Sequence, residues 1–134
     1  MTTAVETGRR GEHIVAAFLI SQGWQSSIVD AVGYDIVATQ GKKIYRVQVK
    51  SSARARLEKA SWYYGFSIGI GGHKKTKNPT RYYDVLALCA IDLNSIYFLP
   101  GKNVFKKTYR FRREVFFDAR LSETSWRYCL ATLP

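Results

Sequence analysis

The stretch "GYDIVATQGKKIYRVQVKSS", residues 33–52, decides how the chain is read. Two alternating runs, "YDIVAT" and "KKIYRVQVK", flank a turn at residues 40–42, which is the pattern of a β-hairpin. The period of two puts Tyr45, Val47 and Val49 on one face of the second run and Arg46, Gln48 and Lys50 on the other. A hairpin loop of two or four residues brings Asp35 opposite Arg46 or Gln48, on the polar face, whereas a three-residue loop sets it opposite Val47. Asp35, Gln48 and Lys50 therefore stand where apolar residues would pack at lower cost.

Working outward, "WQSSIV" precedes the hairpin as a third strand joined through a turn at residues 30–33, so an antiparallel meander is expected. Before it, Ile14, Val15, Phe18 and Leu19 recur at helical spacing between Gly8 and Gln22, with Thr7 as the expected N-cap and Gly23 as the stop. Glu12 lies three residues before Val15 and seven before Leu19, so it continues the edge of the buried stripe toward the N-terminus. After the hairpin, "ARARLEKA" reads as a mobile or weakly helical linker and "SWYYGFSIGI" as an aromatic strand. "GGHKKTKNPTRYY" reads as an exposed basic loop. "DVLALCAID" and "SIYFLP" form two apolar strands around an "LN" turn, "VFKKTYRFRREVFF" a further strand or basic edge, and Ser122 to Leu130 a short helix with a Ser cap. "GIGG" lacks the Lys-Ser or Lys-Thr of a phosphate-binding loop and reads as a hinge.

The length of 134 residues fits one domain, and 46% apolar residues give it a core to bury. Twenty-one Lys and Arg against ten Asp and Glu leave a formal net charge of +11, with a pI near 9.9, which favours a polyanionic partner. The longest clean apolar run, Val85 to Ile91, is about a third of a bilayer span, so no membrane segment is expected. The start, "MTTAVETGRRGEH", has no apolar stretch behind its charges, and a cytoplasmic location is expected. Cys89 and Cys129 read as reduced packing thiols. Together with His13 and His73 they lie too far apart for a recognised zinc spacing.

A helical acid, a strand acid and a polar-x-Lys pair, in that order, are Glu12, Asp35 and "QVK". The pattern resembles the PD-(D/E)xK nuclease superfamily. "GYD…YRVQVKSS", with Gln48 where most members carry an acid, is similar to the group I intron-encoded homing endonucleases of that fold. Residues 8–52 carry the likeness, and "DVLALCAIDLNSIYFLP" resembles the later paired strands, extending it toward residue 100. The resemblance implies an α/β fold with a restriction-endonuclease-like core, a mixed β-sheet with the N-terminal helix packed on it. It implies a Mg²⁺-dependent DNA endonuclease, with Mn²⁺ able to substitute. Asp35 would be the principal metal ligand, Glu12 a second, the Val49 carbonyl a third and the Gln48 amide oxygen a weaker fourth. Lys50 would orient the attacking water and stabilise charge on the phosphate oxygens.

Archaeal Holliday junction resolvases share this layout and give the alternative, a structure-selective nuclease; the amide at Gln48 leaves a third, an inactive nucleic-acid-binding module of the same fold. Each residue also has a plainer reading: Glu12 as a helix N-terminal acid, Asp35 as a turn residue, Lys50 and Gln48 as solvated strand positions. Beside a phosphodiester site, the basic segments "HKKTKNPTR" and "KKTYRFRR" supply candidate contacts to DNA phosphates at Lys74, Lys75, Lys77, Arg81, Lys107, Arg110 and Arg112. The interleaved Tyr109 and Phe111 are expected to pack. Double-stranded or branched DNA is the expected substrate. Cutting both strands needs two sites, so a homo-oligomer, dimer or tetramer, is expected, with "WYYGF" and "YRFRREVFF" as either its interface or part of the core.

Overall fold

The computed structural model describes residues 3–68 and 82–134, so the basic loop, the glycine hinge and the candidates Lys74, Lys75, Lys77 and Arg81 lie outside the described residues. Helix α1 (Ala4–Ser21) begins a turn earlier than the apolar spacing predicts. Thr3 and Glu6 close a capping box: Thr3 Oγ1 accepts the Glu6 N–H at 3.1 Å, and the Glu6 carboxylate accepts the Thr3 N–H at 3.4 Å. Thr7, the expected cap, lies inside the helix and gives its N–H to the Thr3 carbonyl at 2.9 Å. The first turn was invisible to apolar periodicity because the first buried position is Gly11. The stop is as expected, with Gly23 at φ 89° just beyond the last turn.

Strands β1 (Gln25–Ala31), β2 (Tyr34–Gln40) and β3 (Lys43–Ser52) form the expected antiparallel meander. Strands β4 (Arg56–Glu58) and β5 (Ser61–Ser67) follow, then β6 (Val85–Ala90) and β7 (Ser95–Pro100), then β8 (Thr108–Arg112) and helix α2 (Leu121–Thr132). The main sheet has the order β1-β2-β3-β6-β7; β3 and β6 run parallel and the other neighbours antiparallel, so the sheet is mixed. A second sheet, β4-β5-β8, is antiparallel throughout.

Both faces of the main sheet are covered around β6, which explains its unbroken apolar sequence. Val85, Ala87 and Cys89 face the helices and pack with Val15, Leu19 and Trp126; Leu86, Leu88 and Ala90 face the second sheet and pack with Tyr64, Phe66 and Phe116. On the helix side the Trp126 ring lies 5.5 Å from Trp24 and 5.2 Å from Phe98, centroid to centroid. Truncating such a fully buried aromatic to alanine costs about 3–5 kcal/mol. Helix α1 lies flush on the end of β3 because Gly11 has no Cβ, and one added there would fall 1.7 Å from Ser51 Oγ. Cys89 and Cys129 are buried free thiols, as expected.

Two further expectations need correction. "ARARLEKA" is no linker, since it contains β4, where Arg56, Leu57 and Glu58 pair with Tyr63, Trp62 and Ser61. All three β4 residues are exposed, so no apolar alternation marked the strand. Helix α2 starts at Leu121, and Ser122 does not cap it; its hydroxyl accepts the Ile96 N–H of β7 at 2.9 Å and ties the helix to the sheet. The aromatic segments "WYYGF" and "YRFRREVFF" pair with each other as β5 and β8. Tyr64, Phe66 and Tyr109 are buried and Phe111 packs against them, while Trp62 and Phe117 remain exposed. Among the described residues no helix is long and apolar enough to cross a membrane.

Candidate active site

The β2–β3 loop has two residues, and Gly41, at φ 60°, supplies the left-handed conformation that so tight a turn favours. Pairing runs from Gln40 with Lys43 to Ile36 with Val47. One step further, Asp35 meets Gln48, which settles the register question in favour of the polar face. Ile36 is buried in the helix-side core, so alternation turns Asp35 the other way. At that point the carboxylate replaces a backbone partner: Asp35 Oδ2 accepts the Val49 N–H at 2.8 Å and the Gln48 Nε2 at 2.9 Å. The same Gln48 Nε2 donates to the Val49 carbonyl at 3.3 Å.

Burial pushes the Asp35 carboxyl above its ordinary value, and the Val49 N–H and the positive charge of Lys50 pull it partly back. Lys50 is half-buried on the face that carries Gln48. Asp35, Gln48, Val49 and Lys50 thus form one group. Glu12 follows Gly11, the residue that touches Ser51 and Val49, and is itself half-buried, so it stands one residue from the helix contact with the end of β3. Among the described residues no three His, Cys, Asp or Glu side chains gather as a metal cluster. Any ion here would rely on an amide and a carbonyl beside the two acids.

A cleft of about 1240 Å³ opens at this end of β3. One wall is the start of α1, the other is β4 and β5, and Lys50 lies between them. Arg54 and Arg56 line it too. Both fall in the segment expected to be a linker, although two arginines at alternate positions shortly after "QVKSS" are a signal. The candidate phosphate contacts Arg110 and Arg112 sit on the outward face of β8, and Lys107 directly precedes that strand. Arg110 stacks over the Tyr63 ring, with its guanidinium carbon 4.5 Å from the centroid, and pairs with Glu58; Arg112 donates to Ser61 Oγ at 3.3 Å.

Two solved structures share this architecture. The bacterial homing endonuclease I-Ssp6803I superposes with a TM-score of 0.64, over 96% of this chain and 99% of its own, at 15% sequence identity. The Holliday junction resolvase Hjc of Archaeoglobus fulgidus, an archaeal hyperthermophile, superposes with a TM-score of 0.50, over 81% of this chain and 86% of its own, at 17% identity. The chain has the restriction-endonuclease-like fold. No family model matches the sequence, and no curated protein matches it. In this fold the sheet is mixed and the N-terminal helix packs on it, as the resemblance implied.

Proposed function

We propose that the chain is a divalent-metal-dependent DNA endonuclease that hydrolyses phosphodiester bonds in double-stranded or branched DNA. The observation that carries this reading is the Asp35 carboxylate, half-buried on a polar sheet face and held by the Val49 N–H and the Gln48 amide beside Lys50. A homing-endonuclease-like role is favoured over a resolvase-like one because the likeness to the homing endonuclease spans nearly the whole of both chains.

The donor set fits a hard cation. Gln48 Nε2 stands 2.9 Å from Asp35 Oδ2 and 3.3 Å from the Val49 carbonyl, so a polar hydrogen-bearing group already occupies the space between two oxygens. Turning the Gln48 amide over would present its oxygen there instead. Asp35, Glu12, the Gln48 amide oxygen and the Val49 carbonyl would then hold Mg²⁺, or Mn²⁺ in its place. When bound, the ion supplies Lewis-acid stabilisation of the phosphate and a water of lowered pKa. Lys50 orients the attacking water and offsets negative charge developing on the phosphate oxygens. Lys107, Arg110 and Arg112, with Lys74, Lys75, Lys77 and Arg81, hold the DNA backbone by charge. A single copy offers one such site, so cutting both strands requires a symmetric dimer or tetramer.

Incubation with duplex, single-stranded and four-way-junction DNA, with and without Mg²⁺, tests the reading. Metal-dependent strand cleavage is expected, and the preferred substrate separates the homing-type from the resolvase-type role. Binding without cleavage in Mg²⁺ and in Mn²⁺ would leave an inactive module and overturn the proposal.

A further inference from the structure

Seven glycines are described, and five have a reason inside the molecule. A Cβ at Gly11, Gly33 or Gly101 would fall within 1.7, 2.4 or 2.7 Å of a neighbouring atom, and Gly23 and Gly41 have positive φ. Gly8 and Gly65 have neither reason: each has ordinary backbone angles, and a Cβ added to either would meet nothing within 4 Å. Both are also misplaced by propensity. Gly8 lies inside α1 and Gly65 inside β5, where glycine destabilises the element relative to alanine.

The two residues line the same cleft from opposite walls, Gly8 from the helix and Gly65 from the second sheet, with Lys50 between. A glycine within a strand that no internal contact requires marks a place where something external comes close to the backbone. The charge of the cleft indicates what that is. Lys50, Arg54 and Arg56 line it, and Arg110 pairs across the strand from Gly65. Its two acids are engaged, Glu58 with Arg110 and Asp92 as acceptor of the Tyr64 hydroxyl at 2.7 Å.

We propose that Gly8 and Gly65 are close-approach positions, at which the sugar–phosphate backbone of one nucleic-acid strand lies directly against α1 and β5 as it passes Lys50. The proposal rests on the nuclease reading and adds to it where the strand runs. Side chains at these positions would be harmless to the free protein and would obstruct its substrate. The structure thus assigns opposite signs to stability and binding.

The test uses Gly8→Ala and Gly65→Val separately in the full chain. Both variants should melt at or above the unmodified temperature, because the new side chain enters open space and reduces the freedom of the unfolded chain. Binding of a fluorescein-labelled duplex in metal-free buffer should weaken, and single-turnover cleavage in Mg²⁺ should fall on the order of a hundredfold, the scale of a misplacement of about 1 Å. Unmodified binding and cleavage in both variants would overturn the proposal, as would a lowered melting temperature, which would reveal an internal packing role. Failure of the unmodified chain to bind or cut the duplex is a different result, and it would overturn the nuclease reading first.

Discussion

Replacing Gln48 by glutamate, Gln48→Glu, removes the amide that now donates a hydrogen bond to Asp35 and puts a second carboxylate in its place. Gln48 Nε2 lies 2.9 Å from Asp35 Oδ2, so the substitution sets two carboxylates at about that separation. Coulomb's law at this distance gives a repulsion of about 1.4 kcal/mol in bulk water and about 6 kcal/mol at an effective dielectric of 20. A hydrogen bond to a charged acceptor, about 1.5–3 kcal/mol, is lost as well. The site is half-buried, so a net loss of at least about 3 kcal/mol, the sum of the two lower figures, is expected without metal; at roughly 4 °C per kcal/mol for a chain of this size, melting should fall by at least about 12 °C. The sign with pH follows from Asp35, whose carboxyl burial already raises. A second carboxylate raises the pair further, so the folded chain holds a proton more tightly than the unfolded one. The deficit is therefore full above the raised folded-state value and disappears as pH falls through it toward the unfolded carboxyl value near about 4. Mg²⁺ should also remove it, by binding between the two acids. Thermal melts in EDTA and in Mg²⁺, at acidic and neutral pH, measure all of this. Melting identical to the unmodified chain in EDTA at neutral pH would refute the contact between Gln48 and Asp35 as the organising feature of the site.

Lys50→Ala should reduce single-turnover cleavage by about 10²–10³-fold with little change in DNA affinity, since in the proposed mechanism one ammonium serves the transition state while many basic residues hold the backbone; a cleaving variant would remove Lys50 from the mechanism. Asp35→Asn should abolish the calorimetric heat of Mg²⁺ or Mn²⁺ binding without lowering the melting temperature at neutral pH. There the raised carboxyl makes its charge a burden on the fold, so retained metal binding would reduce Asp35 to a turn residue. Burial pushes Cys89 and Cys129 up to about 12, so neither should react with a disulfide reagent at mildly alkaline pH until denaturant is added. Labelling of the native chain would mean that the helices lift from the sheet.

The parts of this molecule that were legible in the sequence are those governed by neighbours in the chain. Alternation fixed the faces of β3, and the turn after Gln40 left Asp35 three positions to meet, Arg46, Val47 or Gln48; only the two-residue loop, with Gly41 at φ 60°, selected Gln48. What stayed hidden left no apolar mark in the chain or depends on partners distant in sequence. β4 pairs with β5 only a few residues further on, yet it has no buried residue to mark it. The polar face of β3 shows the same limit within one strand. Arg46, Gln48 and Lys50 look equivalent in alternation, yet the Asp84 carboxylate, just before β6, accepts the Arg46 N–H at 2.8 Å and pairs with its guanidinium at 3.5 Å. Arg46 therefore helps to fasten β3 to the parallel strand. Gln48 and Lys50 lie beyond that fastening, beside a carboxylate that burial has made costly to ionise. A fold built only for stability would place an apolar pair there, as β6 does with Leu86 and Leu88 at the same register, so the charge is retained for something that stability does not require.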